Sequence, residues 1–315
     1  MSLAWVTGAR GFLGRHVARH LRAEGWQVLG VGHGEWTRED AEIWGVATWR
    51  EAEIDLRTLL DLAATSGPPE LVFHAAGSAS VSYSLEHPFL DFQRTVATTG
   101  LVLEALRTAA PGALVVYPSS AAVYGVTGKG PIVEATPIDP LSPYGVHKAM
   151  AEQLCLTYRK HFGLRSAIIR YFSLYGPGLR RQIVWDLAQK ITAKSTEVAL
   201  DGTGDETRDF LHVEDAARMV PLVARMTGHE PMVVNGGSGH AVSIRELAGV
   251  VAGELGEHTV IRFSGERRPG DPPYYQADVA RLAELGFAPG WTLQEGVRDY
   301  LAWVKKVHAE GNGSA

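Results

Sequence analysis

A phenol and an ammonium group four residues apart are the first sign of chemistry in this sequence. Tyr144 and Lys148 stand in Tyr144-Gly145-Val146-His147-Lys148, directly after Ser142-Pro143, a combination that starts a helix. Residues i and i+4 share one helical face, so both side chains can reach one site. A free phenol titrates at about pH 10 and is no base near neutrality. A nearby lysine cation and the positive charge of an oxidised nicotinamide would both favour the phenolate and lower that value. Alone, such a pair is ordinary surface decoration. A third polar group comes from Val115-Val116-Tyr117-Pro118-Ser119-Ser120, where an apolar strand ends in hydroxyls. In a parallel sheet those hydroxyls fall at the carboxyl edge, where ligands bind.

The elements that must position these groups follow from the hydrophobic pattern. Leu3 to Thr7 reads as a strand, then Thr7-Gly8-Ala9-Arg10-Gly11-Phe12-Leu13-Gly14 turns into a helix running to about Glu24. Glycines at that turn let backbone approach a pyrophosphate, and the helix N-terminus offers N–H groups and a positive dipole end. The spacing is G-x-x-G-x-x-G. Further short strands are expected at 28–31, 71–74, 114–118 and 167–171, with helices at 89–110 and 144–162 between them. Strand and helix alternation predicts an α/β fold, a doubly wound parallel sheet of Rossmann type. After Tyr175 the alternation weakens. The expected division is a cofactor-binding domain over 1–175, to which 206–240 returns, a smaller lobe from 176–205 and 241–305, and a disordered tail over 306–315.

Composition narrows the class. A net charge of -5 argues against a nucleic-acid partner, and Cys155 is the one cysteine, so no internal disulfide exists. No apolar run approaches the ~18 residues that span a bilayer, and no targeting segment is evident, so a cytoplasmic setting is expected. His16 and His20 sit four apart but lack the glutamate of a zinc pattern, and no metal site is expected.

Taken in order, these motifs resemble the extended short-chain dehydrogenase/reductases, in the NAD-dependent epimerase/dehydratase branch and closest to its nucleotide-sugar 4-epimerases. The resemblance implies that Gly8, Arg10, Gly11, Phe12, Leu13 and Gly14 hold the cofactor and that Asp55-Leu56 holds its adenine. It implies that His74-Ala75-Ala76-Gly77 and Tyr171 line the cofactor, and that Ser120, Tyr144 and Lys148 are the catalytic triad. Ser80, Ala121, Ser173 and Tyr275 then face the sugar, Arg208 and Arg268 grip the diphosphate, and Asp271 holds the ribose. A UDP-linked sugar is the implied partner, and a homodimer through a four-helix bundle of 89–110 and 144–162 the implied assembly.

Departures bear on detail. NAD-binding members often end the second strand in an acid that takes the ribose hydroxyls; here Gly32 and His33 stand there. The missing acid removes repulsion against a 2′-phosphate, which leaves NADP open beside the favoured NAD, with His33 as a candidate contact. Thr95 and Ser173 replace asparagines, and Ala79 replaces a lysine found in some epimerases. Related dehydratases carry Asp-Glu after the catalytic hydroxyl, whereas Ala121-Ala122 can neither donate nor accept a proton. Elimination is thereby disfavoured. Three readings stay open: C4 epimerisation through a transient keto sugar, NAD(P)H-dependent reduction of a 4-keto-6-deoxy sugar, and a catalytically silent dinucleotide sensor.

Overall fold

The computed structural model describes residues 2–192, 197–226, 228, 232–256, 259–266 and 272–312. Its frame begins with β1 (Leu3–Thr7), β2 (Gln27–Gly32), β3 (Thr48–Glu51), β4 (Leu71–His74), β5 (Leu114–Ser120) and β6 (Arg165–Tyr171). Short strands β7 (Ser173–Tyr175), β8 (Glu197–Leu200), β9 (Thr207–Arg208) and β10 (Phe210–His212) precede β11 (Met232–Gly236), and β12 (Val242–Ser243) and β13 (Val260–Phe263) follow. Seven of these form one sheet in the order β3-β2-β1-β4-β5-β6-β11, every pair parallel.

The sheet strands are apolar on both faces because helices cover both. On one side α1 (Phe12–Ala23) lies with a later helix over Ala4, Val6, Phe73, Val116 and Ile169. Chain order continues with α2 (Arg38–Ile43), α3 (Leu56–Ser66), α4 (Val81–Glu86), α5 (Pro88–Phe92), α6 (Thr98–Ala109) and α7 (Pro143–Phe162). Of these, α3, α6 and α7 cover Trp5, Val72, Val115, Tyr117 and Ile168 on the opposite face. A wide π turn over Gln93–Ala97 joins α5 to α6, so the helix expected over 89–110 is one path with a bulge in it. Cys155 is buried among the α7 residues of that layer. Beyond the sheet come α8 (Gln182–Thr192), α9 (Val213–Met226), α10 (Ile244–Leu255), α11 (Ala280–Glu284) and α12 (Leu293–Asn312). Here α9 returns to lie beside α1, placing Ala216, Ala217 and Val220 in the first core.

A third core gathers Leu187 and Ile191 of α8, Val198 of β8, Leu247 and Val251 of α10 and Val297, Tyr300, Leu301 and Val304 of α12. The last four residues stand at helical spacing and seat α12 firmly. Over 306–312, within the tail expected to be disordered, α12 continues to Asn312, and 313–315 lie outside the described residues. His308 meets Gln189 of α8 at 3.0 Å, and a helix nucleated on an apolar seat extends cheaply over polar residues. No helix among the described residues is long and apolar enough to cross a membrane.

The sheet order sets where a ligand can go. From β1 the chain steps outward to β2 and β3, then returns to the far side through β4 and β5. That reversal opens a crevice beyond the carboxyl ends of β1 and β4, the preferred ligand position in such sheets.

Candidate active site

The glycine turn lies at the crevice. Gly8 has φ +69, and a β-carbon there would stand 2.8 Å from the Ala76 nitrogen; one on Gly14 would stand 2.3 Å from the Gly8 carbonyl oxygen. Only glycine permits that closeness of backbones. Gly11 occupies the N-cap of α1 and offers no side-chain cap, leaving the first-turn N–H groups and the positive helix end for an anion. Phe12 and Leu13 turn their side chains into the cores, so what they can give a ligand is backbone N–H. The Arg10 guanidinium lies over Gly34, 2.6 Å from where a β-carbon would be. Gly32 ends β2, and the exposed His33 faces Glu53 at 3.4 Å. Asp55 is exposed and caps α3, accepting from the Thr58 nitrogen at 2.7 Å, and those donors hold its carboxyl below the usual range. Leu56, beside it, packs on the α3 core.

The end of β4 is tied to this turn. His74 is buried with Nδ1 2.7 Å from the Thr7 hydroxyl. The Ala75 nitrogen donates to the Thr7 carbonyl at 3.1 Å and the Ala76 nitrogen to the Thr7 hydroxyl at 3.2 Å. Burial, with Lys148 nearby, pushes His74 down to about 3, so its ring is neutral. Gly77 follows, and Thr95 receives the Ser78 nitrogen at 3.4 Å. Ser80 caps α4 through the Tyr83 nitrogen at 3.2 Å.

The three catalytic candidates meet. Ser120 ends β5 and Tyr144 lies in the first turn of α7, capped by Ser142 and opened by Pro143. Ser120 lies close enough to the Tyr144 hydroxyl to favour its phenolate. Lys148, buried one turn on, donates from Nζ to the Pro118 carbonyl at 2.9 Å and sits 5.8 Å from the centre of the Tyr144 ring. Burial lowers Lys148 to about 8, against the opposing pull of Asp91 and Glu152. Burial likewise raises the Tyr144 hydroxyl, while Ser120 and the charge of Arg181 draw it back. Burial is thus the largest influence on the phenol, and the positive charge of a bound oxidised nicotinamide would favour its phenolate.

Across the crevice, Tyr275 is buried with its hydroxyl 3.1 Å and 3.0 Å from the carbonyl oxygens of Ala121 and Gly125. Its ring meets Phe172 edge-on at 5.9 Å. Arg208 lies 5.9 Å from the centre of the Tyr275 ring and donates from Nη1 to the carbonyls of Thr207 and Pro272, both at 2.8 Å. Ser173 opens β7, half-buried, with its nitrogen on the Asp209 carbonyl at 2.9 Å. Ala121 is buried in the single tight turn after β5. Arg268 and Asp271 lie outside the described residues. Tyr171 turns its ring away from the crevice. Its ring is in the α1 and α9 core and its hydroxyl donates to the Ala216 carbonyl at 2.9 Å, which leaves only its backbone for a cofactor.

Several residues of the site escaped the sequence reading. Arg181 is near enough to favour the Tyr144 phenolate. Glu152 and Arg170, both buried, pair at 2.7 Å, and Ser119, next to Ser120, donates to Glu152 at 2.5 Å. Arg170 also donates to Tyr124 at 3.0 Å. Glu152 lies four residues after Lys148, so helical spacing carried a signal for it. The residues present fit a dinucleotide: the cradle at Gly8 and Gly14 has no room for β-carbons, and His74 Nε2 is buried without a partner.

Comparison with known proteins agrees with that geometry. The model of the NAD dependent epimerase/dehydratase family matches residues 4–237. A UDP-glucose 4-epimerase of Azospirillum brasilense is 31% identical, with 96% of this chain and 92% of the relative aligned. The structure of UDP-glucose 4-epimerase from Thermotoga maritima with UDP-glucose superposes with a TM-score of 0.87 at 26% identity, covering 97% of this chain and 99% of that one. That of UDP-glucuronic acid 4-epimerase from Bacillus cereus, in complex with UDP-glucuronic acid and NAD, gives 0.86 at 25% identity with the same coverage. By its glycine turn, its Ser120–Tyr144–Lys148 cluster and these matches along its length, the chain belongs to the NAD dependent epimerase/dehydratase family.

Proposed function

We propose that this protein is a nucleotide-sugar 4-epimerase that interconverts C4 epimers of a UDP-linked sugar with no net consumption of NAD. The observation that carries it is the Tyr144–Ser120 hydroxyl pair beside buried Lys148, next to a turn whose Ala121 and Ala122 hold no second acid or base. Such a set can move the proton of one sugar hydroxyl and nothing more, which suits oxidation and reduction at a single carbon. UDP-sugar epimerases among the relatives and NAD in a solved neighbour support the choice of ligands.

The backbone around Gly8, Gly11 and Gly14 and the first turn of α1 hold the pyrophosphate of the dinucleotide. When bound, NAD supplies the hydride acceptor and returns the hydride. Tyr144 takes the C4 hydroxyl proton while Ser120 hydrogen-bonds the reacting oxygen, and Lys148 steadies the nicotinamide ribose and the phenolate. Arg208, joined by Arg268, anchors the diphosphate and Asp271 the ribose, as the family resemblance implies, while the keto sugar turns over. Tyr275 walls the sugar pocket beneath Arg208. Residues 1–175 with 206–240 then serve the cofactor, and 176–205 with 241–305 the nucleotide sugar.

The protein works as a homodimer in this reading. Leu85 of α4 and Phe89 of α5 are 63% and 68% exposed, and Leu90 of α5 and Val146, Met150 and Phe162 of α7 are also open to solvent, a concentration that a partner would cover.

The test offers UDP-, dTDP- and GDP-linked hexoses and hexuronates and follows both sugar configuration and absorbance of reduced nicotinamide. Epimer from a UDP-sugar with steady absorbance is expected. Stoichiometric loss of NADPH with a 4-keto-6-deoxy sugar, and no epimer from any substrate, overturns the reading in favour of a reductase.

A further inference from the structure

Asp91 on α5 is fully buried, and its Oδ1 has no hydrogen-bond partner. Its Oδ2 lies 2.5 Å from Nδ1 of His147 on α7. His147 directly precedes Lys148 and follows Tyr144 by three residues, so one stretch of helix carries all three. Burying a carboxylate is costly unless a cation or several donors compensate. Among the described residues no arginine pairs with Asp91; His147 is its hydrogen-bond partner, and buried Lys148 is the cation its charge favours.

The groups facing Lys148 sort into two kinds. His74 of β4, Tyr117 of β5 and Tyr144 of its own helix bear no negative charge near neutrality: burial holds His74 neutral and pushes the Tyr117 hydroxyl well up. Glu152 and Asp91 are the acids, and Asp91 exerts the larger pull. The Glu152 carboxylate is already shared with Arg170 and the Ser119 hydroxyl. The Asp91 carboxylate is held by His147 and by no arginine among the described residues.

We propose that Asp91 and His147 are positioning residues for the Tyr144–Lys148 turn. Their hydrogen bond fixes how α5 seats the first turns of α7, and the Asp91 carboxylate keeps Lys148 a cation beside the phenol. The inference rests on Tyr144 and Lys148 being the catalytic pair of the epimerase.

The sign follows from the charge. Without the carboxylate, Lys148 gives up its proton at lower pH and the Tyr144 phenolate also forms at lower pH, so the whole activity window moves acidward. The experiment is the pH profile of kcat and KM for the parent, Asp91→Asn, Asp91→Glu and His147→Asn, with folding checked by thermal unfolding. For Asp91→Asn, a loss of about tenfold is expected near pH 8.5, shrinking to within about threefold near pH 6. Asp91→Glu keeps the charge and should return the profile to its parental position. His147→Asn should lower kcat with the profile in place. A uniform loss in Asp91→Asn, or an equal displacement in Asp91→Glu, overturns the proposal. Should Asp91→Asn not fold, an unchanged kcat in His147→Asn overturns it. No epimer from the parent defeats the functional reading instead, so the two failures are distinct.

Discussion

Gly145 lies so close to Ala122 that a β-carbon on it would stand 2.5 Å from the Ala122 carbonyl oxygen. That approach lets the start of α7 rest on the turn after β5 and brings the Tyr144 hydroxyl to Ser120. Gly145→Ala must push the two apart. A displacement of about an ångström in catalytic geometry costs about a hundredfold in rate, so kcat should fall by that order. The affinity for NAD, set mainly by the distant glycine turn, should change only a few-fold in a fluorescence titration.

Removing the phenol separates chemistry from binding. Tyr144→Phe keeps the ring and deletes the titratable proton, and a positioned base contributes about a hundred- to ten-thousandfold. Turnover should drop by that amount with NAD affinity nearly intact. Lys148→Ala should weaken both, because the same ammonium serves cofactor ribose and phenol. Steady-state rates beside NAD titration of each variant check the split.

His74 makes stability fall on mild acidification. Its ring is held neutral down to about 3, against an ordinary value of 6.5. Above pH 6.5 neither folded nor unfolded chain binds the proton; below it only the unfolded chain does, so stability declines as pH drops from 6.5 toward 3. The loss by pH 5 is about 2 kcal/mol from this group. Urea unfolding between pH 7 and pH 5 should show that slope, flattened in His74→Asn.

The exposed Phe89 and Met150 lie in the two segments expected to form the subunit contact. Phe89→Glu with Met150→Lys places charges where apolar side chains should meet, and light scattering at micromolar concentration should report a monomer for the variant and a dimer for the parent.

Local chemistry was the legible part of this molecule. The glycine turn needs only a strand, a tight bend and a helix in succession, and Tyr144 and Lys148 need only one helical turn, so both could be read from spacing. Partners brought together by tertiary packing could not. Asp91 meets His147 across two helices, and Glu152 meets Arg170 between a helix and a strand. β11 joins the sheet beside β6 after a long excursion, and the pairs β8–β13 and β9–β12 are too short for periodicity to register. The direction of the Tyr171 ring is illegible for a different reason. Along β6, Ala167, Ile169 and Tyr171 share the parity that faces α1 and α9, while Ile168 faces the other layer. Strand alternation therefore put the Tyr171 ring in the core, and motif resemblance had no means of weighing that. The composition of the tail reads as disorder, while Val297, Tyr300, Leu301 and Val304 before it supply the helical seat that carries α12 to Asn312.

Epimerisation by transient hydride transfer has a direct isotopic signature. A UDP-sugar that the protein epimerises, deuterated at C4, should be incubated with the enzyme in ordinary water until both epimers are present, and the C4 position of each read by NMR and mass spectrometry. Because Tyr144 and Ser120 handle only the hydroxyl proton while the C4 hydrogen leaves and returns on the nicotinamide, deuterium should remain at C4 in both epimers. Its replacement by solvent hydrogen, with epimerisation proceeding, would contradict the mechanism.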